Sequence, residues 1–308
     1  MTVQEAKLYG KSNLSVSPTP VLDTDVLLQH ITGLDKTHLL LERARKLLPE
    51  QETAFLAAIE KRKTGLPVAY ITGHKEFFGL DFYVTPDVLI PKPDTELLVE
   101  LALDALEDKF RANTEKIPTV CDMCTGSGCV GLSILKTLAD KSKDSEENKF
   151  STFNFQLSIS LVDISEKALD VARINAKRLI PDFTPHFVHS NLFENIPNSF
   201  DLIVTNPPYV PHTESLELLK DGRSEPLLAL DGDIDEYGEY DFTEDGLSLI
   251  RRLVPQCYGH LNRNGVLIME TGEYNAEETA ELFKKAGFRN VKIEYDMNEM
   301  MRDVTGVK

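Results

Sequence analysis

No stretch of this 308-residue chain approaches the ~20 consecutive apolar residues that a membrane-spanning helix needs. The opening residues Met1-Thr2-Val3-Gln4-Glu5 also lack the basic start and apolar core of a secretory leader, so the expected compartment is the cytoplasm. Positive charge is short: 33 Lys and Arg stand against 50 Asp and Glu, a formal net charge of −17. That balance disfavours broad nucleic-acid binding, which neutralises phosphates with clustered Lys and Arg. Cysteine is scarce. Cys121, Cys124 and Cys129 fall close together and Cys257 stands alone. Cys121-Asp122-Met123-Cys124 has the spacing of a zinc or redox pair, but no second Cys or His pair accompanies it. The thiols are expected to be reduced and mostly buried, with no metal site. Asp231-Gly232-Asp233-Ile234-Asp235 opens like a calcium loop, yet its sixth position is Glu236 where Gly is needed and its twelfth is Phe242 where Glu is. Asp231 to Asp245, rich in acids and without Lys or Arg, is expected to be a solvated loop.

What remains is an ordinary globular composition, 42% hydrophobic and 27% charged, long enough for one large or two modest domains. The first part reads as helices with short joints. Apolar spacing predicts a helix from Pro20 to Ile31 that stops at Gly33, a short one from Lys36 to Arg45, and one from Glu50 to Lys63, opened by Pro49 and halted by Gly65. Glu76 to Val84 then gives two short aromatic strands around Gly79, a hairpin. The domain boundary falls just before it, dividing the chain into residues 1–75, a helical bundle, and 76–308. In Ile90-Pro91-Lys92-Pro93-Asp94-Thr95-Glu96 the prolines forbid a helix until Asp94 or Thr95 can cap one, which Leu97 to Phe110 supplies.

From Pro118 onward strands alternate with helices, which predicts an α/β fold with a mostly parallel sheet. The strands are Thr119 to Cys121, Phe155 to Val162, Phe187 to His189, Leu202 to Thr205 and Val266 to Glu270. Between them come helices from Val130 to Leu138, Ser165 (as cap) to Ile180, Gly246 to Cys257 and Ala276 to Ala286, with a polar loop over Asp140 to Lys149. Val291 to Tyr295 and a segment near Asp303-Val304-Thr305 are expected to close the sheet.

In such sheets ligands bind at the carboxyl ends of the strands. After the first strand, Asp122-Met123-Cys124-Thr125-Gly126-Ser127-Gly128 supplies glycines that admit close backbone approach, followed by a helix N-terminus with free N–H groups. Gly126-x-Gly128-x-x-Gly131 fits the dinucleotide fingerprint, a weak signal alone. Asp163, ending the second strand, suits the two hydroxyls of a ribose or the capping of the next helix. After the third, Leu192 can flank a flat base and Asn191 meet its amino group, or Ser190-Asn191-Leu192-Phe193 is a plain turn. The fourth strand ends in Thr205-Asn206-Pro207-Pro208-Tyr209, a stiff loop because each proline fixes its own φ and Pro208 restricts Pro207. Asn206 Oδ1 and the Pro207 carbonyl can accept from a planar –NH2 group, and Tyr209 offers it a packing face. A dinucleotide oxidoreductase has no use for that fourth element.

These motifs resemble the HemK-type glutamine N5-methyltransferases, and the resemblance covers nearly the whole chain. It includes Asp23 to Leu28, Pro67 to Gly73, Ile90 to Glu96, Asp122 to Gly128, Asp163, Asn206 to Tyr209 and Arg223 to Pro226. It implies a Rossmann-like class I S-adenosylmethionine-dependent methyltransferase sheet behind a small helical substrate-recognition domain. The implied reaction moves the methyl group of S-adenosylmethionine, leaving S-adenosylhomocysteine, to the Gln of the Gly-Gly-Gln motif in class 1 peptide chain release factors. Implied catalytic residues are Asn206, Pro207, Pro208 and Tyr209; implied cofactor residues are Cys124, Thr125, Gly126, Ser127, Gly128, Asp163, Leu192 and Asn206. The chain departs from the family pattern at Cys124, where Gly is usual, at Asn191 for Asp, at Lys92 for Arg, and in a longer acidic loop after Asp231. An adenine N6-methyltransferase acting on DNA or RNA is the alternative, since adenine also carries a conjugated –NH2, but it needs a basic track that this charge balance disfavours.

Overall fold

The computed structural model describes residues 1–15, 17–111, 117–147, 157–220 and 225–308. The chain divides into two compact units, one built on Met1–His74 and the other on Lys75–Leu216 with Glu225–Lys308.

The first unit is helical: α1 (Val3–Asn13), α2 (Pro20–Thr32), α3 (Lys36–Leu41), α4 (Pro49–Lys63) and α5 (Val68–Thr72). A capping box starts α1, with Thr2 Oγ1 accepting from the Glu5 N–H and Glu5 accepting from the Thr2 N–H. Prolines open α2 and α4, and Gly33 ends α2 at φ +70°. Leu14, Leu27, Leu28, Phe55 and Ile59 are buried together as its core. Asp23 is tied to it by Arg62 Nε at 2.7 Å and Ser17 Oγ at 2.7 Å.

A hairpin of β1 (His74–Phe77) and β2 (Leu80–Tyr83) turns through Phe78 and Gly79, both at positive φ. This is the backbone that a right-twisted two-residue hairpin loop requires. A 3₁₀ turn, Pro93–Thr95, then leads into α6 (Glu96–Arg111). Lys92 holds the cap position of the turn without a side-chain bond, and Thr95 is the residue directly before α6. Next come β3 (Thr119–Met123), α7 (Cys129–Glu147), β4 (Ser158–Asp163), α8 (Glu166–Leu179), β5 (His186–His189), β6 (Phe200–Thr205) and α9 (His212–Lys220). The chain continues through α10 (Ser248–His260), β7 (Leu261–Glu270), α11 (Ala276–Ala286), β8 (Arg289–Tyr295) and β9 (Met301–Val307).

The seven-stranded sheet has the order β5-β4-β3-β6-β7-β9-β8, with β3 to β7 parallel and β9 antiparallel to both its neighbours. This is the mostly parallel α/β sheet, closed by the last two strands, that the sequence pattern predicts. Its two faces separate with the strand period of two. Cys121, Met123 and Ile203 pack with Leu253 and Cys257 of α10 and Phe283 of α11. Val120, Leu202 and Val204 pack on the other face with Leu98 of α6, Leu132 of α7 and the hairpin rings Phe77 and Phe82. Because β3 is flanked by β4 on one side and β6 on the other, the strand order reverses there, and a crevice opens at the carboxyl ends.

Two expectations need correction. The polar loop expected over Asp140 to Lys149 is helical to Glu147, since α7 continues without Gly or Pro and is supported by a Lys136–Asp140 pair at 2.7 Å; Lys149 lies outside the described residues, as do Phe155, Arg223 and Ser224. The acidic loop is not wholly solvated. Asp231 and Asp233 are buried, and Asp233 accepts from the N–H groups of His212 and Gly246 and the Thr243 hydroxyl.

Candidate active site

The turn after β3 is built on one buried carboxyl. Asp122 Oδ2 accepts from Thr125 Oγ1 at 2.6 Å and from the Gly131 N–H at 2.9 Å, closing the loop onto the start of α7. Burial pushes its pKa up to about 7, against the pull of those two hydrogen bonds. Gly131 leaves no room for a side chain unless its neighbours shift: a Cβ there would lie 2.4 Å from Leu161 Cδ2 and 2.9 Å from Asp122 Oδ2. Cys124, Gly126 and Gly128 all adopt positive φ, +60°, +54° and +80°. A glycine at the first of these would be unstrained, whereas Cys124 bears the left-handed conformation with a side chain. Its thiol lines the cleft, and burial holds it protonated.

Asp163, at the end of β4, faces this turn. Its two oxygens accept from the N–H groups of Gly126 (2.9 Å) and Ser165 (2.8 Å), while Ser165 Oγ caps α8. Burial raises its pKa, opposed by those N–H groups. The turn is held from behind by Asn175 of α8, which is fully buried. Asn175 Nδ2 donates to the carbonyls of Ser127 and Tyr83, each at 2.9 Å, and Oδ1 accepts from the Tyr83 N–H at 2.7 Å. After β5, Leu192 presents its side chain at φ +48°. Among the described residues the side-chain hydrogen bonds of Asn191 run from Nδ2, to Glu194 and to the Glu236 carbonyl, so Oδ1 is the end left to accept.

These elements enclose a cleft of about 230 Å³. Of the residues singled out from the sequence, Cys124, Thr125, Gly126, Ser127, Asp163, Leu192, Asn206 and Pro208 line it. Gly128 stands behind the wall against Leu132 and Ala172, and Pro207 is buried. Lys92, also on the lining, reaches Glu225 at 2.7 Å through a single ammonium contact in place of an Arg fork.

The Asn206-Pro207-Pro208-Tyr209 loop leaves β6 and is pinned at each end. Asn206 Nδ2 donates to Thr95 Oγ1 at 3.2 Å, which leaves Oδ1 as the end of the amide free to accept. Tyr209 does not line the cleft as the packing face expected from the sequence: its half-buried ring packs against the core on the α10 face, where its hydroxyl donates to Glu270 Oε1 at 3.2 Å. The Tyr209 carbonyl accepts from Asn275 Nδ2 (3.1 Å) and the Tyr274 hydroxyl (3.2 Å). Glu270, at the end of β7, is buried; burial lifts its pKa to about 7, while the hydroxyls of Thr95 and Tyr209 favour its charged form. Three supports of the site were missed from sequence. Thr95 lies in the quoted proline motif but reads there as a cap; Glu270 shows only as an acid ending an apolar strand; Asn175 shows only as a polar residue between Ala172 and Ala176 on a buried helix face.

Residues 5–73 match a family model described as the PrmC N-terminal domain, and residues 99–221 one described as the methyltransferase small domain. A release factor glutamine methyltransferase of Leptospira interrogans is 35% identical, covering 93% of this chain and 91% of its own. One of Koribacter versatilis is 32% identical, covering 100% and 99%. A solved methyltransferase from Pyrococcus furiosus is 17% identical with a TM-score of 0.48, covering 85% of this chain and 99% of its own.

Proposed function

The chain belongs to the release factor glutamine methyltransferases, and on that basis we propose that it transfers the methyl group of S-adenosylmethionine to N5 of the Gln in the Gly-Gly-Gln motif of class 1 release factors, in the cytoplasm. The observation that carries this reading is the Asn206 amide, with Nδ2 committed to Thr95 and Oδ1 left to accept at the cleft.

The residues present suit the cofactor. Asp163 offers a carboxylate to the ribose diol, and Leu192 an apolar face to the adenine. Asn191, with its Nδ2 engaged elsewhere, offers Oδ1 to the adenine amino group. Around Gly126 a Cβ would meet nothing within 4 Å, so the turn has room for a ligand against its backbone. Asp87, Asp122, Asp163, Asp235 and Glu236 line the cleft against Lys92 and Arg252, an excess of acids that favours a cationic ligand. When bound, S-adenosylmethionine supplies an electrophilic methyl group on a positively charged sulfur.

The rest falls to this chain. A carboxamide nitrogen is a poor nucleophile because its lone pair is delocalised into the carbonyl. Asn206 Oδ1 and the Pro207 carbonyl accept its two N–H groups, orient the nitrogen, and stabilise the positive charge that builds on it. Holding the reactants aligned supplies ~7–11 kcal/mol of the barrier. No tuned general base is needed before transfer, because the positively charged N-methylated amide that forms is strongly acidic and gives its extra proton to water. Tyr209 keeps the backbone of the loop in register through its half-buried ring.

Asp163→Ala should weaken S-adenosylmethionine binding by about 10- to 150-fold, the equivalent of one charge-assisted hydrogen bond worth ~1.5–3 kcal/mol. Calorimetry that finds unchanged affinity in the folded variant removes Asp163 from the cofactor site. For the substrate, labelled methyl groups should enter purified release factor and map to the Gln of Gly-Gly-Gln. A chain lacking residues 1–74 should bind cofactor yet transfer poorly, since the helical unit is assigned to substrate recognition. Label in nucleic acid, or on another residue, overturns the proposed reaction; normal transfer by the shortened chain overturns the assignment of the helical unit.

A further inference from the structure

We infer that Ile234 to Gly238 of the acidic loop form a wall of the cofactor site, and that Asn191 is the positioning residue that holds this wall in place; this rests on the cofactor reading proposed above. Asn191 and the longer loop after Asp231 are both departures from the family pattern, and the geometry makes them one feature. Ile234 to Gly238 line the same cleft as Asp163 and Leu192. Tyr237 brings a flat ring to that lining and is 81% exposed, so a nucleoside against it would cover apolar surface.

The wall is braced from within. Asp235 Oδ1 accepts from the N–H groups of Tyr237 (2.8 Å) and Glu239 (2.9 Å), and the Gly238 N–H donates to the Asp235 carbonyl at 3.1 Å. Its base is fixed: Ile234 packs against the core on the α10 face, and Arg252 of α10 donates to the Ile234 carbonyl at 3.1 Å. Its tip is held from the turn after β5, where Asn191 Nδ2 donates to the Glu236 carbonyl at 3.3 Å. That turn is a firm post. The Glu194 N–H returns to the Asn191 carbonyl at 3.2 Å, the Asn195 N–H donates to Ser190 Oγ at 3.0 Å, and Asn195 Nδ2 donates to the His189 carbonyl at 3.1 Å.

The chemistry at position 191 decides whether the tip is held. Glu194 Oε1, 3.1 Å from Asn191 Nδ2, and the Glu236 carbonyl are both acceptors, so the amide meets them only with its nitrogen. A carboxylate at this position has no donor to give. It would face the Glu194 carboxyl and the Glu236 carbonyl, acceptor against acceptor, and let the tip go. It would still accept from an adenine amino group and, being charged, more strongly than an amide oxygen does. The two roles of residue 191 therefore predict opposite results for Asn191→Asp. An adenine contact alone gains by the change; a wall held by Asn191 is released.

The test compares the whole wild-type chain with Asn191→Asp in two readouts: release of labelled S-adenosylmethionine during a chase with unlabelled cofactor, and hydrogen exchange of the amides of residues 234–239 with cofactor bound. Asn191→Asp should release the cofactor about 3- to 10-fold faster and speed that exchange by a similar factor, the effect of losing one or two exposed hydrogen bonds. Association should change by less than about twofold, since the loss falls on dissociation. Glu194→Ala keeps the bond from Asn191 to Glu236 and should stay within about twofold of wild type in both readouts. With residues 235–239 replaced by a pair of glycines there is no wall to release, so Asn191→Asp should no longer speed dissociation. Release from Asn191→Asp that is as slow as wild type or slower, or unchanged exchange, overturns the inference. So does an equal acceleration on the shortened loop; should that chain not fold, the Asn191→Asp result decides alone. A folded wild-type protein that binds no S-adenosylmethionine overturns the cofactor reading itself.

Discussion

Replacing Asn206 with Ala should lower the rate of methyl transfer by about 10²–10³-fold, the usual effect of losing one preorganised polar partner. The substitution removes Oδ1 and leaves the Pro207 carbonyl, both prolines and the sheet untouched. One N–H of the substrate amide then lacks its acceptor, and the nitrogen can turn away from the methyl group. Since this hydrogen bond strengthens as charge builds on nitrogen, the loss belongs to kcat more than to substrate binding. Stability should fall by only about 1 kcal/mol, because what the fold itself gives up is the hydrogen bond from Asn206 to Thr95. Tyr209→Phe keeps the half-buried ring and should be milder. The measurement is single-turnover transfer at saturating cofactor beside a thermal melt. A folded Asn206→Ala protein at wild-type rate would falsify the role given to the loop.

A second large effect is expected behind the Asn-Pro-Pro-Tyr loop, at Gly246. Its φ is +70°, and a Cβ built on it would stand 2.0 Å from the Tyr209 carbonyl oxygen and 2.8 Å from the carbonyl carbon. Both atoms are backbone, so no rotamer can relieve the clash, and the Asn-Pro-Pro-Tyr loop itself must move. The left-handed conformation adds about 1–2 kcal/mol for any residue with a Cβ. Gly246→Ala should therefore lose at least about 100-fold in rate, as displacements near 1 Å do. Its melting temperature should fall by roughly 5 °C or more, at about 2–4 °C per kcal/mol for a domain of this size. Gly79 is the control: it has φ +72° in the hairpin turn, away from the cleft lining, and a Cβ there meets nothing within 4 Å. Gly79→Ala should keep near wild-type activity. Equal behaviour of the two variants would show that the loop tolerates displacement.

The strands were legible because β3, β4, β6 and β7 are covered on both faces and so carry mostly apolar, β-branched stretches such as Leu202 to Val204 and Val266 to Met269. Punctuation by Gly, Pro and Ser marked most helix ends, as with Gly33, Pro49 and the Ser165 cap. The strand-end turns stood out for the same local reason, since Asn-Pro-Pro and a Gly-x-Gly run are unusual backbone chemistry. What stayed hidden is pairwise and remote. Asn206 meets Thr95 across 111 positions and Asn175 meets Tyr83 across 92, and neither partner carries a local mark of the other. The acidic loop misled because composition reports charge and not direction: Asp233 turns inward to backbone N–H groups while Tyr237 and Phe242, of the apolar kind, stay exposed.

The placement of β9 governs how the sheet can be assembled as the polypeptide is made. β8 precedes β9 in the chain yet pairs only through it, and β7 keeps one open edge until β9 arrives. A nascent chain that has emerged as far as Tyr295 therefore exposes Val266 to Glu270 as an unpaired, largely apolar edge, the kind that recruits other chains. Asp303 enters with the same strand, so its carboxyl reaches Glu270 only in this last docking step, when both must surrender their water. The polar corner that supports the loop is thus among the last parts of the molecule to form.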